Sequence, residues 1–276
     1  MSVMFFLKSR GGVLRVAVLG CAAVATGLCS LQNSYASYEC EDGITCVDCS
    51  STIYINEAGG GDFVGYSGFV YTTDSATSPC FALQDGYDAD LNGAEIRCTR
   101  TNGNCATAVE GDSVGSVLEE GSITGPFTVC ADNVFEVKGV LMDGCATGVA
   151  GSSGLVKKVW RNIIKNGGAT GIDVALVNNT AFIRSNLVDG YPVAIEVSGT
   201  SSGKGPKVWR NVLVRYGTGI RAQDSSKLRV LNNIICEGNV SSTSIDVTVT
   251  NKTFTDNYCC SEDQNECAAA TPFEND

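Results

Sequence analysis

Five copies of one short pattern, an apolar residue, two variable positions and then Asn followed by two further positions, mostly apolar, recur at a nearly constant pitch. They read Val159-Trp160-Arg161-Asn162-Ile163-Ile164, Ile183-Arg184-Ser185-Asn186-Leu187-Val188 and Val208-Trp209-Arg210-Asn211-Val212-Leu213, then Val230-Leu231-Asn232-Asn233-Ile234-Ile235 and Phe254-Thr255-Asp256-Asn257-Tyr258-Cys259. The asparagines are 24, 25, 22 and 24 residues apart. A second column keeps the same pace: Gly148-Val149, Gly171-Ile172, Ala194-Ile195, Gly219-Ile220 and Ser244-Ile245. Two columns in phase demand an architecture built from one stacked unit.

That period is too short for paired-helix repeats and lacks the spacing of leucine-rich repeats, but it suits a coil of three short strands. Apolar runs of two to four residues are bounded by Gly, Asn, Ser or Asp, as short strands with tight turns require. Stacked coils set equivalent residues ~4.8 Å apart. An Asn at a fixed turn position suits that ladder, because it tolerates left-handed backbone and its amide can bond the Asn of the next coil. Thirty-two glycines against five prolines in 276 residues agree with many strands and turns. The expected class is all-β: a single-stranded parallel β-helix, or β-solenoid, with coils of 22–25 residues.

The Asn-apolar-apolar and Gly-Ile-acid-Val rhythm resembles the right-handed parallel β-helix repeats of the pectate-lyase-like (pectin lyase fold) superfamily. The resemblance is clear over 135–258, and candidate strands at 52–55, 95–98 and 127–130 extend it less regularly through 50–134. It implies a right-handed coil, with 51–258 as the helix and the Cys-rich segments 37–50 and 259–276 as caps closing its ends.

Residues 1–36 read as a signal peptide. Lys8, Arg10 and Arg15 precede an apolar run over 16–31, and Ser34-Tyr35-Ala36 supplies the small residues read at cleavage. The run is short, interrupted by Gly, Thr and Ser, and has no basic flank after it, so no stable membrane span is expected. Val18-Leu19-Gly20-Cys21 resembles a lipobox, although Arg15 within the stretch counts against a lipoprotein. Cleavage after Ala36 removes Cys21 and Cys29 of the 14 cysteines and leaves twelve, an even number suited to full pairing outside the cell or at its surface. Cys236 and Cys260 each follow a ladder Asn by three residues in consecutive coils and are expected to pair. Cys46-Val47-Asp48-Cys49 offers half a zinc site, but no second such pair and no His follow it. Sequons at Asn178, Asn239 and Asn251 would carry glycans in a eukaryotic host.

The formal net charge of −11 repels nucleic acid on average, with local basic patches left open. With no histidine, acid–base chemistry falls to Asp, Glu, Lys, Arg or Tyr. The resemblance implies polysaccharide lyases, galacturonases or uronate epimerases as possible activities; a fold alone transfers none of them, and mechanisms using a histidine do not fit. Strand alternation turns Asp173, Glu196, Arg221 and Asp246 outward on four successive coils. Two readings fit. In one, Asp173 and Glu196 hold Ca²⁺ while Arg221 is the catalytic base or carboxylate clamp of a uronate elimination. In the other, Arg221 relieves repulsion within an ion-pair ladder. Galacturonase-type hydrolysis has only the same carboxylates available, on coils closer than an inverting pair prefers.

Two residues before each ladder Asn stand Trp160, Arg184 and Trp209, with Lys157, Lys158, Arg161, Lys207 and Arg210 around them. That column either binds an acidic polysaccharide, the rings stacking on sugar while cations meet carboxylates, or stiffens the sheet by cation–π contacts alone. Asp88-Ala89-Asp90-Leu91-Asn92-Gly93 matches the start of a calcium loop but reaches Thr99 where Glu is needed, so it reads as a turn. The functional expectation is an exported carbohydrate-active β-helix that binds, and by elimination cleaves, an acidic polysaccharide. The alternative is a noncatalytic extracellular structural or adhesive solenoid.

Overall fold

A computed structural model describes residues 45–56, 61–152, 154–201, 205–223, 227–236, 238, 243–249 and 251–260, together with strands at 3–8, 14–19 and 37–39. The described residues contain no helix. They form a parallel β-solenoid whose strands lie on three faces. One regular coil shows the plan: Lys158–Trp160 on the second sheet, Ile163–Lys165 on the third and Thr170–Asn179 on the first. The first sheet has nine strands, from Ile53–Ile55 to Thr243–Val247, each hydrogen-bonded to the strand one coil away. The second and third are continuous at two strands, Val117–Thr124 and Glu136–Asp143, which bend around the corner at Glu120 (φ 53°) and Gly139 (φ 66°).

The expected strands at 52–55, 95–98 and 127–130 appear as Ile53–Ile55, Glu95–Cys98 and Phe127–Asp132. Parallel register reaches back to Thr45–Asp48, inside the segment expected as a cap, and Ser37–Glu39 lies antiparallel on that strand. Val3–Lys8 and Leu14–Leu19 form an antiparallel pair. The rest of the expected signal segment, the sequon at Asn239 and nearly all of the expected cap at 259–276 lie outside the described residues.

Inward residues stack by type. Val159, Ile183, Val208 and Val230 line the second sheet, Ile164, Val188, Leu213 and Ile235 the third, and Ile172, Ile195 and Ile220 the first, all fully or almost fully buried. Each such side chain contributes ~1.5–3 kcal/mol by leaving water.

The corner between the second and third sheets is fixed by the asparagines. Each side-chain amide donates to the carboxamide oxygen of the next: Asn162 to Asn186, Asn186 to Asn211 and Asn211 to Asn233 at 3.0 Å, and Asn233 to Asn257 at 2.9 Å. The same Nδ2 groups also donate to the carbonyls of Val137, Val159, Ile183 and Val208, one coil back. Each Oδ1 takes a second bond from a backbone N–H, and the ladder starts where Asn162 accepts the N–H of Val140 at 3.0 Å. Asn162, Asn186, Asn211 and Asn233 are almost wholly buried yet fully partnered, which is what a polar group in a core requires.

The left-handed backbone expected of these asparagines belongs instead to the residue before each: Arg161, Ser185, Arg210, Asn232 and Asp256, with φ between 53° and 59°. The turn therefore leaves the Asn extended enough to point its amide inward, while the strained residue points into solvent.

Every described cysteine is disulfide-bonded. Cys236–Cys260 forms as the register predicts, with Cα atoms 4.7 Å apart. Cys49 pairs with Cys80, so it is not half of a zinc site; Cys98–Cys105 and Cys130–Cys145 are further pairs that staple the less regular N-terminal coils, and Cys46 is also bonded. Cys259 is also bonded, and Cys267 lies outside the described residues.

Candidate functional site

The outer surface of the second sheet carries two columns, because alternate residues of each three-residue strand face out. One runs Glu136, Lys158, Phe182, Lys207, Arg229, and the other Lys138, Trp160, Arg184, Trp209, Leu231. The sequence-derived column Trp160–Arg184–Trp209 is thus in register and outward. Together Lys158, Trp160, Phe182, Arg184, Lys207 and Trp209 line a groove of about 280 Å³.

Its aromatic rings are engaged unequally. Arg184 lies over Trp160 at 4.5 Å, and Arg161, from the corner turn, also lies over Trp160 at 4.8 Å. Trp209 is met by Lys207 at 3.9 Å and Arg210 at 4.6 Å. Arg184 is therefore stacked on one indole rather than held between two. Glu136 accepts bonds from the Trp160 indole N–H and from Lys158, both at 2.7 Å, and locks the upper end of the groove. Burial pushes the Glu136 carboxyl up, but those two donors outweigh it and leave the pKa below the usual carboxylate range. Burial also pushes the Lys157 ammonium down. Among the described residues no carboxylate lies within ion-pair distance of Arg161, Arg184, Lys207 or Arg210.

Phe182 was not singled out from sequence. It is 43% exposed, sits between Lys158 and Lys207, and has no ring or cation stacked on it among the described residues. Strand alternation would have found it, since it lies two residues before Arg184 on the same face.

The acidic column stands on the first sheet. Asp173, Glu196, Arg221 and Asp246 are directly aligned on four coils, as the repeat predicts, and the column continues backwards through Ala150 to Asp132 and Glu110. Arg221 reaches Glu196 at 3.7 Å, Asp246 at 3.8 Å and the Thr218 hydroxyl at 3.4 Å. Its guanidinium is thus engaged by both neighbouring carboxylates. Asp173, by contrast, is pushed above the usual carboxylate range by burial and then by Glu196. Asp132 is raised by burial, Glu110 and Asp173, and its Oδ1 finds no donor among the described residues. The Asp173–Glu196–Arg221 set and the Trp160–Arg184–Trp209 set face out from different sheets. In the turn at 88–93, Asp88 accepts the N–H of Val117 and Asp90 that of Asn92, both at 2.8 Å, so both cap backbone.

No family model, curated protein or solved structure matches this chain.

The raised Asp173 gives one consequence for stability. Between the ordinary carboxylate pKa, ~3.9, and its own higher value, the folded state binds more protons than the unfolded, so stability falls as pH rises through that window. Asp173→Asn is expected to raise the thermal midpoint near pH 7 and to leave it unchanged near pH 3. A fall near pH 7 would show instead that the carboxylate makes a stabilising contact, such as one to a bound cation.

Proposed function

We propose that this protein is an exported glycan-binding member of the pectin lyase fold, holding an acidic polysaccharide along its second sheet. The observation that supports this most is the gathering of four cations, Arg161, Arg184, Lys207 and Arg210, which have no acidic partner among the described residues, around two half-buried indoles and the exposed Phe182 ring on a chain whose net charge is −11. Such a patch carries unused electrostatic potential, and a flexible polyanion of sugars can follow it from coil to coil. Stacking on the indoles holds the guanidiniums in place, which lowers the ordering cost of binding. Phe182 offers a bare ring for the apolar face of a sugar. Export is supported by the signal-like segment and by the disulfides, which persist in oxidising compartments.

On this reading the acidic column of the first sheet is an ion-pair ladder. Arg221 lies between two carboxylates, 3.7 Å from Glu196 and 3.8 Å from Asp246, so its guanidinium is occupied within the ladder. Elimination with Ca²⁺ on Asp173 and Glu196 is the competing proposal for that face.

Immobilised polygalacturonate, alginate and chondroitin sulfate are expected to retain the protein, with retention falling as salt rises, whereas a neutral galactan is not. Arg184→Ala with Lys207→Ala is expected to weaken binding about tenfold or more, each lost charge contact being worth ~1 kcal/mol. Equal retention on the neutral polymer, or an unchanged double variant, would overturn the reading. Absorbance near 230 nm is expected to stay flat with calcium present; a rise abolished in Arg221→Ala would replace the ladder reading with the lyase.

A further inference from the structure

The third sheet carries a surface unlike the other two. Its outer column runs Leu141, Ile163, Leu187, Val212, Ile234 and Tyr258 on six consecutive coils, a stripe ~24 Å long at one stacking step per coil. Ile163, Ile234 and Tyr258 are 45%, 44% and 57% exposed, and the other three are half-buried. Single exposed apolar residues need no explanation, but six in an unbroken line mark an interaction surface.

Charges flank the stripe. Two residues further along the same strands lie Asp143, Lys165 and Asp189, and Arg215, one coil beyond, reaches back to Asp189. Lys165 binds Asp143 at 3.1 Å, and Arg215 grips Asp189 through two bonds at 2.5 and 2.6 Å. Along the solenoid axis the row reads minus, plus, minus and then Val214, and the residue after Val214, Arg215, supplies a positive charge beside it. Reversed, that row becomes its own complement. On the other side of the stripe the corner turns present Gly139, Arg161, Ser185 and Arg210 on the same four coils.

We infer that a second copy of this chain docks on this stripe, third sheet against third sheet, about a two-fold axis parallel to the strands and centred between Lys165 and Asp189. In that register Lys165 of one copy faces Asp189 of the other, and Asp143 faces the coil of Val214, whose neighbour Arg215 carries the opposite charge. Ile163 meets Leu187, Leu141 meets Val212 and Ile234 lies over Ser122. The corner cations fall opposite uncharged residues, Arg161 across from Ser185 and Arg210 across from Gly139. A shift of one coil either way sets Lys165 against Arg215 or Asp143 against Asp189. The charges therefore select one register, and the contact is closed and isologous, giving a dimer rather than a filament. The second sheet stays open in both copies.

Sedimentation equilibrium of the intact protein tests this. The expected mass is twice that of one chain, falling to one chain for Ile163→Asp, which points outward and leaves the core untouched. Lys165→Glu is expected to weaken the dimer on the order of a hundredfold, because it sets two like-charge pairs across the axis. Adding Asp189→Lys restores opposite signs across the axis and is expected to restore the dimer. A monomer at every concentration, or a dimer indifferent to Ile163→Asp and Lys165→Glu, overturns the inference. So does a dimer lost in Lys165→Glu that the second reversal fails to rescue.

Discussion

Asn186→Leu is expected to be among the most destabilising single changes in this protein. Asn186 accepts both the backbone N–H and the side-chain amide of Asn162 on Oδ1, and its own amide donates to Asn211 and to the Val159 carbonyl. Leucine fills a similar volume but leaves two donors of Asn162 and the Val159 carbonyl without partners in a buried corner. At ~1–3 kcal/mol for each orphaned buried group, the loss comes to about 4 kcal/mol or more. Asn186→Asp separates shape from donation. Its carboxyl can still accept from Asn162, but it loses the donor facing the Val159 carbonyl and the Asn211 oxygen. A buried acid among acceptors has its pKa raised, so this variant is expected to lose further stability as pH rises from acid to neutral, measurable as a pH-dependent urea midpoint. A pH-independent midpoint equal to that of the parent would mean the ladder contributes little.

The second large effect lies at Gly167. A Cβ built there overlaps the ring of Tyr191 and crowds the Cys145 carbonyl. Tyr191 is buried, and its hydroxyl donates to that same carbonyl at 3.2 Å. Gly167→Ala therefore has to expel the ring or shift the turn, and overpacking of this kind costs ~1–3 kcal/mol before the lost hydrogen bond is added. The mechanism predicts coupling: once Tyr191→Leu has removed the ring and hydroxyl, Gly167→Ala should cost much less. Additive losses in a double-mutant cycle would assign the effect to backbone instead.

These two sites also show where sequence is informative. The ladder was legible because five coils repeat it, and repetition fixes register for every residue at the same offset. That is why the outward alignments Asp173–Glu196–Arg221–Asp246 and Trp160–Arg184–Trp209, and the Cys236–Cys260 bond, followed from spacing alone. Tyr191 is repeated only once, by Tyr216 on the next coil, and Gly167 occurs in a turn whose path is set by tertiary packing, so the clash between them carries no periodic signal. Phe182 carries no such signal, because its column, four positions before each Asn, reads Lys158, Phe182, Lys207 and Arg229 and repeats no aromatic residue. The left-handed residue was misplaced by one because Asn is the commoner occupant of that conformation, whereas Arg161 and Arg210 are held there by the corner itself. The N-terminal disulfides escaped because irregular loops, not register, bring Cys49 to Cys80 and Cys130 to Cys145.

Charge segregation between faces was only half visible. The chain is acidic overall, yet cations collect on the second sheet, while on the first the half-buried Asp132 and Asp173 have their pKa values raised by burial and by neighbouring carboxylates. The result is a rod whose faces differ in chemistry: an ion-pair ladder, a cationic aromatic groove and an apolar stripe.

The chain contains two tryptophans, and both line the proposed groove. Their intrinsic fluorescence therefore reports on that groove and on nothing else. Titrating polygalacturonate or chondroitin sulfate into the intact protein at low salt is expected to change the emission saturably, because carboxylates or sulfates bound to Arg184 and Lys207 alter the charge and solvent beside the indoles. Raising salt should reverse the change, and a neutral galactan should not produce it. Emission that stays constant through saturating additions of each acidic polymer would contradict glycan binding at the second sheet.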